Sequence, residues 1–366
     1  MIDFRYHLVS LVAVFIALAV GIALGAGPLR DGISSTLESE VNQLRQERIV
    51  LRAEVDNANR RADAKDDAIG LIGEKALGGT LQDLRVGLIV FPGADRNTLD
   101  ALEGSLSAAG ADVVLQAELN AKWDDPEPSQ ERLQLFDQLG QSLADPEPPS
   151  GGSPTAATIL AAVLSGADAG GRVGAWLAAG GALEDEGLVD LTWRDGTPAS
   201  VTDRRAPEAL VLVSDGLTVS EATATNGMAT LASRMGLVDA LAKVSTPLVI
   251  TGTGGEAVVA DLAARVDPLV RAVREDKTLA QRVSTVDNLE SSAGQVAAAF
   301  ALAWQVQGDA GHFGLGELAQ ATFPPLPPLR AIGGPLPESG PAPSPEPPAD
   351  EKTSQGEGDA AFTTSP

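Results

Sequence analysis

The sequence predicts an α/β protein carried by one membrane helix: an N-terminal transmembrane segment, a parallel coiled coil, then a parallel-sheet, Rossmann-like domain with a helical insertion and a disordered tail. Three observations predict it. Residues 8–27 are an uncharged stretch that is apolar almost throughout, residues 34–75 repeat apolar side chains at alternating spacings of four and three, and from residue 79 short β-branched runs alternate with helical segments.

The stretch 8–27 reads LVSLVAVFIALAVGIALGAG. Twenty helical residues at about 1.5 Å each span ~30 Å, the thickness of a bilayer core. A cleaved leader has a positive n-region and a shorter apolar run. Here residues 1–7 offer only Arg5 and the amino terminus against Asp3. The segment therefore reads as an uncleaved anchor, with residues 1–7 cytoplasmic and the bulk outside the cell membrane. Gly21 and Gly25, extended upstream by Ala17, place small residues four apart, a spacing that lets two membrane helices approach closely.

From Leu37 the repeat runs through Val41, Leu44, Arg48, Leu51, Val55, Ala58, Ala62, Lys65, Ile69 and Ile72. Counting Ser34 before them, all seam positions but Ser34, Arg48 and Lys65 are apolar, and charged or amide residues dominate the rest. Such a stripe is narrower than a globular core takes and predicts a coiled coil. Arg48 and Lys65 weaken the seam but fix register and strand number. A membrane helix entering a coiled coil implies a parallel homo-oligomer, most simply a dimer. Gly70, Gly73, Gly78 and Gly79 are expected to break the helix.

The α/β domain is expected over 79–316. Residues 85–93 (RVGLIVFPG) read as a buried strand, 97–109 as a helix ended by Gly110, and 112–119 as a second strand. Strands follow at 209–214, 247–251 and 282–287, with helices at 228–244, 257–274 and 293–307. Strand–helix alternation of this kind predicts a parallel sheet covered on both faces. Residues 122–186 interrupt it with Ala- and Leu-rich helices between acidic Pro-rich loops, and read as an insertion. Residues 324–366 open with PPLPPLR and continue Pro-rich and acidic, a composition unable to bury apolar surface.

The chain has 366 residues, a formal net charge of -24 and no cysteine. The charge argues against nucleic acid or anionic lipid as a partner of the domain. The missing thiol is compatible with an oxidising compartment.

The opening MIDFRYHLVSLVAVFIALAVGIALGAGPL resembles the N-terminus of the mycobacterial-type copper transport protein B (MctB) family. The late run STVDNLESSAGQVAAAFAL, followed by Gly311-His312-Phe313-Gly314, is similar to that family's C-terminal block, where the family pattern has Tyr at the position of Phe313. The resemblance covers the chain to about residue 316. It implies an actinobacterial envelope protein with one membrane helix, a coiled coil and an extracytoplasmic α/β domain. It also implies copper export or resistance and, for a corynebacterial relative, envelope integrity at division.

Copper enters through the resemblance alone. Copper(I) takes thiolate, thioether or imidazole ligands, and the chain offers no Cys, two His (His7, His312) and three Met (Met1, Met228, Met235). Met228 and Met235, seven apart, share a helix face and with His312 are the only weak metal candidates; gap-filling in the core is the competing role for the two methionines. Gly252, Gly254 and Gly255, in LVITGTGGEA with Asp276 downstream, match a dinucleotide fingerprint in spacing. A tight strand-to-helix turn demands the same glycines. Asp185 and Glu186 read as a solvated acidic pair. No Ser-His-Asp arrangement or G-x-S-x-G is found, so no catalytic residue and no cofactor is assigned and the chain is not read as an enzyme. The reading is an anchored envelope protein acting through contacts with an unidentified envelope partner. Its alternatives are a direct copper-export component and a degenerate nucleotide- or sugar-binding enzyme using the Gly252 turn.

Overall fold

A computed structural model describes residues 4–26, 28–124, 129–143, 155–166, 173–194, 205–214, 216–218, 225–244, 246–252 and 265–330. The chain divides into two units, Met1–Ala68 and Ile69–Pro366.

The first unit is helical. Helix α1, Phe4–Ala26, has 23 residues and carries its apolar side chains exposed from Leu8 to Ile22. By length and composition it is able to cross a bilayer. Helix α2, Pro28–Leu77, has 50 residues and contributes its last turns to the second unit. Its seam residues Val41, Leu44, Leu51 and Val55 are all exposed in the single chain.

Gly70 and Gly73 do not break α2, which corrects the sequence expectation. They are a flat face: a Cβ on Gly73 would stand 2.4 Å from Val296, and one on Gly70 3.2 Å from the Ser292 hydroxyl. The helix tolerates both glycines, at about 1 kcal/mol each, because they allow close approach of a second helix. The turn comes at Gly79, where φ is +80°.

The second unit is built on seven strands: β1 (Arg85–Val90), β2 (Asp112–Leu119), β3 (Val189–Trp193), β4 (Ala209–Ser214), β6 (Leu248–Gly252), β8 (Ser284–Val286) and β9 (His312–Phe313), in the order β3-β2-β1-β4-β6-β8-β9. All neighbours are parallel except the edge pair β2–β3. A separate two-stranded ribbon pairs β5 (Leu217–Thr218) with β7 (Arg265–Val266). The helices are α3 (Arg96–Ala108), α4 (Gln130–Leu143), α5 (Ala156–Ser165), α6 (Val173–Asp185), α7 (Thr225–Lys243), α8 (Pro268–Glu275) and α9 (Ser292–Val306).

Alternate residues of the central strands serve two cores. Ile89, Leu210, Leu212, Leu248 and Ile250 face α5, α6, α7 and α8, whereas Leu88, Val90, Val211, Val213 and Val249 face α3, α9 and Leu77 of α2. Burial of both faces explains why these strands read as unbroken apolar runs. Among the described residues of 122–186 are the helices α4, α5 and α6, of which α5 and α6 supply much of one core.

Three sequence expectations change. The Rossmann-like order would place a third parallel strand outside β2, and that place is taken by antiparallel β3. The helix expected over 257–274 is α8, beginning only at Pro268; residues 253–264 lie outside the described residues. Residues 324–330, assigned by composition to the tail, lie against the domain. Phe323 meets Phe300 edge-on at 5.7 Å, Trp304 Nε1 donates to the Pro325 carbonyl at 2.9 Å, and the Arg330 amide donates to Gly79 at 3.0 Å. A segment with few amide donors thus docks by its carbonyl and its flanking rings.

Candidate functional site

In open parallel sheets, ligands sit outside the carboxyl ends of the strands, above all where the strand order reverses. Here the reversal lies between β1 and β4, where Phe91 follows β1 and Ser214 ends β4. Phe91 is 1% exposed, and the Arg234 guanidinium of α7 lies 4.6 Å over its ring. Arg234 is held from the other side by Asp124, Nη2 to Oδ2 3.1 Å. A stack of Phe91, Arg234 and Asp124 thus stands beside the end of β1.

Beside it, at the end of β6, Gly252 backs onto α8. A Cβ there would fall 2.4 Å from Asp267 Oδ2 and 2.7 Å from Val270. The first glycine of the fingerprint is thus demanded by packing against the α8 N-cap. Gly254 and Gly255 lie outside the described residues. Asp276 lies past the C-terminus of α8, where its Oδ1 accepts from the Thr278 and Leu279 amides at 2.8 and 3.1 Å; its role is a local cap.

Asp267 caps α8 through Oδ1, which accepts from Leu269 and Val270 at 3.0 and 3.3 Å. Its Oδ2 is buried without a hydrogen bond. Burial pushes this carboxyl up from 3.8 to about 6, against the opposing pull of the Val270 amide, the Ser214 hydroxyl, the Leu269 amide and the Arg234 charge.

The block STVDN…GHFG folds into a buried polar brace at the β8–β9 edge. Arg274 of α8 donates through Nε to Thr285 Oγ1 (2.8 Å), through Nη1 to Asp287 Oδ2 (2.8 Å) and through Nη2 to the Phe313 carbonyl (2.6 Å). Asp287 also accepts from the Leu315 and Gly316 amides at 2.6 and 3.0 Å. Gly314 has φ +129° and no room for a Cβ beside Asp287. Asn288, with φ +65°, and Ser291 fix the entry to α9.

His312 is fully engaged in this brace. Nδ1 lies 2.9 Å from Thr285 Oγ1 and Nε2 3.0 Å from the Ala280 carbonyl. The Arg274 Nε can only donate to Thr285, so the threonine proton points to Nδ1. The Ala280 carbonyl can only accept, so the imidazole proton is on Nε2. This neutral tautomer leaves no lone pair for a metal. Burial, opposed by the bond to Ala280 and joined by the Arg274 charge, lowers the imidazole pKa from 6.5.

The two methionines are not brought together with it. Met235 is partly buried against the core helices, whereas Met228 is 74% exposed, which corrects the expectation that both fill core gaps. Among the described residues no group of three or more His, Cys, Asp or Glu could hold a metal ion.

Sequence reasoning missed one cleft. It has a volume of about 340 Å³ at the ends of β1 and β2 and is lined by Arg96, Asp100, Glu103, Gln116, Glu118 and Arg194 among others. Arg194 bridges Glu103 and Gln116, and Gln116 in turn donates to Glu118 at 2.6 Å. Arg194 lies 91 and 78 residues along the chain from Glu103 and Gln116, its partners on the consecutive elements α3 and β2, so no local motif announces the set.

The sequence pattern of the family described as "Copper transport outer membrane protein, MctB" matches residues 1–324. The proteins named "Copper transporter MctB" of Mycobacterium tuberculosis and Mycobacterium bovis are each 25% identical to the chain over 348 residues, covering 88% of it and 98% of their own length.

Proposed function

Since the chain belongs to the MctB family of copper transport outer membrane proteins, we propose that it is a single-pass envelope protein that serves copper efflux or envelope integrity through protein contacts, without a copper(I) site of its own. The observation that carries this reading is the engagement of both His312 ring nitrogens. Copper(I) needs at least two convergent soft ligands, and the one histidine of the α/β unit is committed to Thr285 and Ala280. The anchor would be α1, with the acidic bulk outside the cell membrane. Contacts would begin with the chain itself, through the exposed seam of α2 as a parallel dimer.

The test is copper(I) competition on the purified full-length protein against a chromophoric chelator of moderate affinity. The expected result is no retained stoichiometric copper, and no difference between wild type and His312→Ala or Met235→Leu. Stoichiometric copper that either substitution removes would instead establish a direct role in copper export.

A further inference from the structure

In α2 the seam residues take heptad positions a (Val41, Arg48, Val55, Ala62, Ile69) and d (Leu44, Leu51, Ala58, Lys65, Ile72), and the helix carries this phase without a break to Leu77. In that phase the flanking g and e positions read Glu40, Glu47, Glu54 and Arg61 against Arg45, Arg52, Asn59 and Asp66. A parallel, in-register pair places each g residue beside the e residue five positions on in its partner. The resulting pairs are Glu40–Arg45, Glu47–Arg52 and Arg61–Asp66, all of opposite sign. An antiparallel pair would set g against g, where Glu40, Glu47 and Glu54 are all acidic.

The last two turns of α2 show what happens where the coil meets the α/β unit. Their glycine face, Gly70 and Gly73, is occupied by Ser292 and Val296 of α9, and Leu77 is fully buried. Their seam face is uncovered, with Ile72 70% exposed. Gly73, the e position at this level, is already buried under Val296, so a neighbouring helix would meet these turns through the exposed Ile69 and Ile72 and not through a g–e pair.

We propose that α2 pairs in parallel and in register with α2 of a second copy as far as Ile72, so that the second copy packs on one face of the last turns while α9 packs on the other. This rests on the dimer reading given above and assigns its register, its direction and its end point.

The chain has no cysteine, so single-cysteine variants of the full-length protein in detergent report the seam directly. Leu44→Cys and Ile72→Cys should both give disulfide-linked dimers on mild oxidation, whereas Ala53→Cys at position f and Leu71→Cys at position c should not. Glu47→Arg should loosen the dimer several-fold, and adding Arg52→Glu should restore it, since the two positions meet only between chains. Crosslinking at Leu44 without crosslinking at Ile72 would overturn the end point while leaving the dimer intact. No crosslink at Leu44, or no rescue by Arg52→Glu, would overturn the parallel register, and a monomeric mass for the wild type would remove the dimer reading as well.

Discussion

Asp267 and His312 titrate in opposite senses, and each reports the cost of a buried polar group. Asp267 binds its proton more tightly in the folded state, about 6 against an ordinary 3.8. Its contribution is therefore complete below about pH 4 and is lost as pH rises through 6, a change of about 3 kcal/mol at most. His312 has a lowered pKa, so its contribution is complete above 6.5 and is lost on acidification. Asp267→Asn keeps the Oδ1 cap of α8 but cannot ionise. Urea unfolding at pH 4 and pH 7.5 should show this variant gaining stability relative to wild type at the higher pH, and an equal difference at both would rule the mechanism out. Arg274 is a different case. Its side chain is 1% exposed and joins Thr285, Asp287 and the Phe313 carbonyl. Removing it leaves Asp287 buried and unpaired, so Arg274→Ala should cost about 3–5 kcal/mol by denaturant unfolding. A loss below 1 kcal/mol would mean that the brace is not structural.

Among the elements, the segment 323–330 shows how a proline-rich stretch acquires a fixed place. Prolines lack amide donors, so they cannot join the sheet. Their carbonyls remain available, and Trp304 of α9 donates to that of Pro325, while Phe300 of the same helix meets the neighbouring Phe323 ring. Arg330 adds its amide bond to Gly79 and a 3.8 Å ion pair with Glu208. A chain ended after Arg330 should therefore melt at a higher temperature than one ended after Thr322. Equal melting temperatures would show that the strap adds nothing to α9. The same helix receives the glycine face of α2, so α9 is the element on which both ends of the α/β unit converge.

For the whole molecule, the placement of charge and apolar surface sets the setting in which the fold works. One 23-residue apolar helix stands at the N-terminus, and the chain as a whole carries a net charge of -24. Burial of α1 in a bilayer would remove apolar surface from water at roughly 25 cal/mol per Å², which no contact in the single chain achieves, since α1 is exposed from Phe4 to Ile22. Protease added to intact spheroplasts should digest the α/β unit, and the cell-associated protein should keep its N-terminal helix. Full protection of the unit, or a mature N-terminus beyond residue 27, would reverse the orientation or remove the anchor.

What the sequence determined alone is whatever a local period or composition can encode: the apolar run of α1, the heptad of α2, and the β-branched strands β1, β2, β4, β6 and β8, each followed by its helix or turn. Gly110, which follows α3 with φ +92°, is punctuation of the same local kind. Tertiary structure decided the rest, because it depends on groups distant in the chain. It turned Gly70 and Gly73 from helix breakers into a packing face, since only the arrival of Val296 gives a missing Cβ a use. It gave β3 and β9, short edge strands, their pairing. It assigned Gly252 to the close approach of Asp267, and it took His312 out of contention as a ligand by placing Thr285 and Ala280 on its two nitrogens. A residue type lists the chemistry that is possible, and the partners brought in by the fold select which part of it remains available.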